Sequence, residues 1–174
     1  MSDHGPLEEL RVTASTCTRC PLAKGRTQVV FGVGNPSAEL LFVGRSGKLL
    51  DRLMWEEIGL TRADCYIANV VKCRPPQNRD PAPAEIEACR PYLSEQIRLI
   101  DPLVIVTLGN FSTKLLLEST RGIRELRGQV YELDRVRLVP TYHPAYVLRA
   151  GGEAMAEMRA DLVRAKRLIG AGSR

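Results

Sequence analysis

Leu103-Val104-Ile105-Val106-Thr107-Leu108 is an unbroken apolar run of strand length, closed by Gly109. It is the clearest strand in the chain, and its neighbours decide what kind of sheet it belongs to. On its N-terminal side, residues Ala84 to Ile100 alternate apolar and charged side chains at helical intervals. On its C-terminal side, Phe111 to Leu117 reads as a helix, Gln129 to Leu133 and Val136 to Val139 as a strand pair, and Glu153 to Ile169 as a closing helix. Further back, Glu39-Leu40-Leu41-Phe42-Val43 is a short buried strand ending at Gly44. Ser46 is a plausible N-cap for the helix carrying Leu49, Leu50, Leu53, Met54 and Ile58, which stops at Gly59. Cys65 to Val71 is a second apolar run. The segment Lys72-Cys73-Arg74-Pro75-Pro76-Gln77-Asn78-Arg79-Asp80-Pro81 must leave the sheet as an exposed loop, because its prolines can continue neither helix nor central strand. Residues 1 to 38 read as a loop-rich entry in which Gly32-Val33-Gly34 is a weak phosphate-loop signal. Strands alternating with helices predict an α/β fold: a single three-layer α/β/α domain over residues 1–174 with a mainly parallel central sheet.

The totals agree. A chain of 174 residues that is 44% hydrophobic can bury one sizeable core. No apolar stretch approaches the roughly 20 residues that cross a bilayer, and Met1 to Pro6 lacks the features of a signal peptide, so a cytoplasmic protein without membrane association is expected. Lys and Arg number 25 against 20 Asp and Glu, a net charge of +5 that is unevenly spread. Arg121, Arg124 and Arg127 form one cluster, Lys72, Arg74 and Arg79 another, and Arg149 follows a His-Pro turn; these could neutralise phosphates. Arg159, Arg164, Lys166 and Arg167 are instead the charged outer face that an amphipathic C-terminal helix needs.

Four of the five cysteines form two pairs: Cys17 and Cys20 in a C-x2-C hook, and Cys73 and Cys89 mid-chain. A reducing compartment keeps thiols free, so the pattern predicts a metal centre in preference to disulfides. Four thiolates suit Zn2+ or an iron–sulfur cluster, and the wide second spacing departs from the paired short hooks of zinc sites. Cys65, inside an apolar run, reads as a small core residue.

In sheets of this class ligands bind beyond the carboxyl ends of the strands, which singles out the loops after Val43, Val71 and Pro140. The last carries Thr141-Tyr142-His143-Pro144-Ala145-Tyr146-Val147-Leu148-Arg149, one of only two histidines placed directly after a buried strand. A fixed imidazole can donate to a developing anion. Asn69 ends the second strand with an amide that matches a pyrimidine edge or a neighbouring backbone.

Together, Cys17-Thr18-Arg19-Cys20-Pro21-Leu22, Arg45-Ser46-Gly47-Lys48-Leu49-Leu50-Asp51, Asn69-Val70-Val71-Lys72-Cys73-Arg74-Pro75-Pro76 and His143-Pro144-Ala145-Tyr146-Val147-Leu148-Arg149 resemble the uracil-DNA glycosylase superfamily, most closely its iron–sulfur family 4. The resemblance covers nearly the whole chain. It implies a monofunctional DNA-repair hydrolase, acting as a monomer, that flips uracil out of DNA and leaves an abasic site. It further implies a 4Fe-4S cluster on Cys17, Cys20, Cys73 and Cys89, with zinc as the minor alternative. His143 would stabilise the uracil anion, Asn69 and Gly44 would bind the base, and Arg74 with the wedge Tyr146, Val147, Leu148 and Arg149 would hold the duplex open.

One part of the family pattern is missing. A Gly-Glu-x-Pro-Gly type loop, which positions water through an acidic group, normally follows the strand; a later Pro-Phe-Val-Gly run supplies an aromatic that stacks on uracil. Here Gly44 is followed directly by Arg45, so Phe42 reads as core. Either a true deletion between two similar Phe-Val-Gly stretches or residues of the molecule that this sequence omits would explain the gap; a true deletion predicts crippled catalysis, with duplex binding outlasting excision. The rival readings are a catalytically impaired DNA-binding iron–sulfur protein of the same fold and a zinc-dependent nucleic-acid-binding domain.

Overall fold

A computed structural model describes residues 5–172; residues 1–4, read above for leader features, and 173–174 lie outside the described part. Six strands, β1 Gly32–Gly34, β2 Leu40–Val43, β3 Tyr66–Ala68, β4 Val104–Leu108, β5 Tyr131–Leu133 and β6 Val136–Thr141, make one sheet in the order β1-β3-β2-β4-β6-β5. The four inner strands run parallel, while β1 and β5 close the edges antiparallel. The expected mainly parallel sheet is what forms.

Period-two geometry explains the layers. Leu40 and Phe42 of β2 and Val104, Val106 and Leu108 of β4 project to one side, against α3 (Lys48–Leu53) and Met158, Leu162 and Ala165 of α8 (Gly152–Ala171). Leu41, Val43 and Ile105 project to the other, against Leu93 and Ile100 of α4 (Pro83–Ile100) and the apolar side of α5 (Asn110–Leu117). Helices on both faces make strands apolar at every position, which is why β2 and β4 carry no alternation.

The order also fixes where a ligand can enter. From β2 the chain steps to β3 on one side and then returns to β4 on the other, so the connections diverge between β2 and β4 and leave a crevice at their carboxyl ends. Gly44 and Gly109, the residues following these strands, border it. Gly44 has φ 137°, and a Cβ there would stand 2.8 Å from the Leu108 Cβ; only glycine lets the two strand ends close up.

Several local expectations change. The entry is not mainly loop: α1 (Pro6–Ser15) starts on a proline with Glu8 and Glu9 in its first turn, a start signal hidden by weak periodicity. Gly32-Val33-Gly34 is an edge strand, not a phosphate loop. The second strand is only Tyr66–Ala68, because beyond it the chain is pulled into turns by contacts described below. Gly47, not Ser46, caps α3, and the Ser46 hydroxyl accepts from Arg62 Nη2 at 3.1 Å. The helix continues as a π-helical turn, Met54–Ile58, which Gly59 ends in the left-handed region at φ 79°. Two short helices, α2 (Leu22–Gly25) and α6 (Ile123–Leu126), escape periodicity because one turn shows no period. The remaining helix, α7 (Pro144–Ala150), carries the His-Pro segment.

Candidate functional site

A broad groove opens at the carboxyl ends of β2, β3, β4 and β6. Gly44, Asn69, Arg74, His143, Tyr146 and Arg149 all line it, so six of the sequence-derived site residues meet on one surface. The loop after β4, which sequence reading did not single out, also contributes Gly109, Asn110 and Phe111, the last 41% exposed. Its signal was the glycine after the clearest strand: at φ 89°, a Gly109 Cβ would lie 2.9 Å from the His143 Cβ.

His143 is the N-cap of α7. Its Nδ1 accepts a hydrogen bond from the Ala145 backbone N–H at 3.1 Å, which assigns the proton of the neutral ring to Nε2 and leaves that N–H free to donate. Burial, then the charges of Arg45 and Arg149, hold the imidazole below its ordinary range, with Asp80 pulling the other way. A neutral ring is also what the cap requires, since a proton on Nδ1 would remove the acceptor. Pro144 at the first helical position needs no hydrogen-bond donor there, so the strand turns directly into α7.

Asn69 is held from behind. Lys72, only 2% exposed, donates from Nζ to the Asn69 carbonyl at 2.8 Å and to Gln96 Oε1, and its ammonium lies 5.7 Å from the centre of the Phe31 ring. This grip turns the chain away from β3. It also corrects the phosphate reading of Lys72, whose charge never reaches the surface. Arg79 is committed too, in a forked ion pair with Glu85 at 2.7 and 3.0 Å. Arg127 joins Asp161 and Glu157 of α8 and lies 5.4 Å from the Tyr142 ring centre. Arg74, Arg79, Arg121, Arg124 and Arg149 remain exposed, with Arg74 Nε bonded to Asn78 Oδ1 at 2.6 Å and Arg124 bonded to the Tyr146 hydroxyl at 3.0 Å.

The duplex wedge needs one correction. Val147 is fully buried in the core, because α7 turns that position toward the interior, whereas the next residue, Leu148, is 68% exposed. Of the four residues expected to form a wedge, Leu148 is the exposed apolar one, flanked by Tyr146 and Arg149.

On the far side of the Lys72 loop, Cys17, Cys20, Cys73 and Cys89 line a single pocket with Ala14, Arg26 and Tyr92. Donors already address its sulfurs: the Lys72 N–H lies 3.4 Å from Cys89 Sγ, and Arg26 Nη1 lies 3.6 Å from Cys73 Sγ. Among the described residues no three His, Cys, Asp or Glu side chains converge as a single-ion site. Cys65 stands apart in the core against Met54, and burial pushes its thiol up to about 11.

Between β2 and α3 there is only the short connection Gly44 to Gly47, with no acidic residue. Phe42 is fully buried in β2 and does not face the groove. The carboxylates lining the groove are Asp80 and Glu125, and Asp80 is the one whose charge acts on His143.

Residues 26–165 match the family model of the Uracil DNA glycosylase superfamily. The chain is 41% identical to a Type-4 uracil-DNA glycosylase of Sulfurisphaera tokodaii, with 82% of this chain and 76% of the relative covered. It is 41% identical to the Type-4 enzyme of Archaeoglobus fulgidus, covering 82% and 83%, and 39% identical to that of Thermotoga maritima, covering 88% and 89%. The first alignment runs over 166 residues while taking in 82% of a 174-residue chain, so the relative carries residues within the aligned span that this chain lacks. With a family match over most of its length and relatives of this closeness, the chain belongs to the uracil DNA glycosylase superfamily and, within it, to the type-4 branch.

Proposed function

We propose that this chain is a monofunctional uracil-DNA glycosylase of base excision repair, with the groove as its uracil site. The observation that carries the reading is His143, whose Nδ1 is occupied by the Ala145 N–H while Nε2–H stays available beside Asn69 in one groove. A uracil flipped from the duplex enters with its edge toward the Asn69 amide, which can both donate and accept. The C1′–N1 bond breaks, its electron pair leaving with the base as a uracil anion, and His143 Nε2–H donates to the charged oxygen. Water adds to the cationic C1′ and gives up a proton, leaving an abasic site. Exposed Arg74 and Arg149 neutralise phosphates, and Leu148 fills the space left by the extruded base.

Cys17, Cys20, Cys73 and Cys89 would hold a 4Fe-4S cluster, a structural cross-link between the entry segment, the Lys72 loop and α4. Support comes from the four sulfurs surrounding a pocket instead of a point, and from the N–H donors aimed at them. No helix among the described residues is long and apolar enough to cross a membrane. We read residues 1–174 as one domain that works as a cytoplasmic monomer.

The absent acidic connection after Gly44 favours a second reading, a DNA-binding protein whose excision is much weakened. Of the two groove carboxylates, Asp80, whose charge acts on His143, is then the one to orient water. Duplex affinity and uracil release measured on the same uracil-containing DNA separate the two: slow release that His143→Ala abolishes supports the enzyme, and release unchanged by that substitution removes His143 from the mechanism.

A further inference from the structure

Lys72 is a buried amine that the reaction outlined above does not use. An ammonium is costly to bury unless its N–H groups are satisfied, and a methionine would fill the same space more cheaply. Here the satisfied contacts converge on the base site. Nζ holds the Asn69 carbonyl at 2.8 Å and Gln96 Oε1, while Gln96 Nε2 is anchored on the Phe31 carbonyl at 2.9 Å and lies 3.5 Å from the Tyr66 hydroxyl. Gln96 is itself fully buried on α4. The path from α4 through Lys72 to Asn69 is hydrogen-bonded at every step and ends on the backbone immediately after β3.

We propose that Lys72 is a positioning residue for uracil discrimination: anchored by Gln96, it sets the backbone of Asn69 and thereby the angle at which the Asn69 amide meets the base edge. The proposal rests on Asn69 reading uracil. The backbone N–H of Lys72 also donates to Cys89 Sγ at 3.4 Å, so the cysteine pocket and the reading residue share one short segment. Removing the ammonium frees Asn69 to rotate and should blunt selectivity more than it weakens attachment to DNA.

The test compares wild-type protein with Lys72→Met, Lys72→Arg and Gln96→Leu. Equilibrium binding is measured on a duplex carrying one non-hydrolysable 2′-fluoroarabino-uracil and on the same duplex carrying 2′-fluoroarabino-cytosine, whose edge reverses the donor and acceptor that the Asn69 amide would meet. Thermal melting and iron content serve as folding controls. The expected result is a uracil-to-cytosine affinity ratio reduced about tenfold or more in Lys72→Met, since a positioning error of 1 Å can cost ~10²-fold. Affinity for the cytosine duplex should hold, with partial recovery in Lys72→Arg and a smaller loss in Gln96→Leu. An unchanged ratio in folded Lys72→Met, or a parallel loss on both duplexes, overturns the proposal. If that variant does not fold, an unchanged ratio in Gln96→Leu overturns it equally. A wild-type ratio near one would instead sink the assignment of Asn69 as uracil reader, and the positioning role with it.

Discussion

In the proposed reaction the groove's chemistry turns on one proton on one ring. Because Nδ1 of His143 accepts from the Ala145 N–H, the neutral imidazole can donate only from Nε2. Loss of such a donor from a charge-stabilising site costs about 10²–10³-fold in rate, so His143→Ala should reduce single-turnover excision by that factor with little change in duplex affinity. The ring is held below its ordinary pKa by burial and by Arg45 and Arg149, so the folded state binds its proton less readily than the unfolded chain. Stability therefore carries no His143 penalty above about pH 6.5 and loses ground as pH falls from there through the lowered folded value. The wild-type melting temperature should drop relative to His143→Ala over that range, and parallel curves would count against the buried, capped ring. Asp80→Asn tests whether this carboxylate has taken over the positioning of water. Excision should fall about 10²-fold or more with the affinity for thymine-containing duplex unchanged, as read in single-turnover assays.

At the scale of elements, α7 separates two neighbouring residues into different roles. Val147 is buried and Leu148 stands out, so the two substitutions to alanine should part company. Val147→Ala should lower stability by roughly 1.5–3 kcal/mol in a denaturant titration, whereas Leu148→Ala should leave the midpoint in place and weaken binding to a uracil-containing duplex. The connection between β2 and α3 makes the complementary case. Gly44 to Gly47 spans the two elements without any acidic group, and inserting a Gly-Glu-x-Pro-Gly loop after Gly44 should raise the rate of uracil release by about 10²–10⁴-fold while duplex affinity stays within a small factor. A rate unchanged by the insertion would mean that the groove already positions its water.

Across the whole molecule, the sheet is clamped to α8 by a buried ionic cluster. Asp161 is fully buried, accepts from Thr141 Oγ1 at 2.8 Å and from Arg127 at 3.0 Å, and so ties α8 to the end of β6 just before His143. Arg127→Ala would strand that carboxylate and should cost about 3–5 kcal/mol in unfolding free energy. Its effect on DNA affinity should be small beside Arg149→Ala, the opposite of what clustering along the chain suggested for Arg127.

Much of this protein was written along its length. The β2 and β4 runs, the α4 and α8 periodicities, the glycine stops and the cysteine spacing are local patterns, and one-dimensional patterns survive in one dimension. The same holds for His143 beside its proline and Asn69 at its strand end. What needed the fold were the questions of direction and distance. Lys72 and Arg127 look like surface cations until the chain closes over them, and Val147 and Leu148 are indistinguishable until α7 presents one of them inward. Composition and spacing report what a side chain can do. Which partner it meets is decided by packing between segments far apart in sequence, a constraint that no local stretch contains.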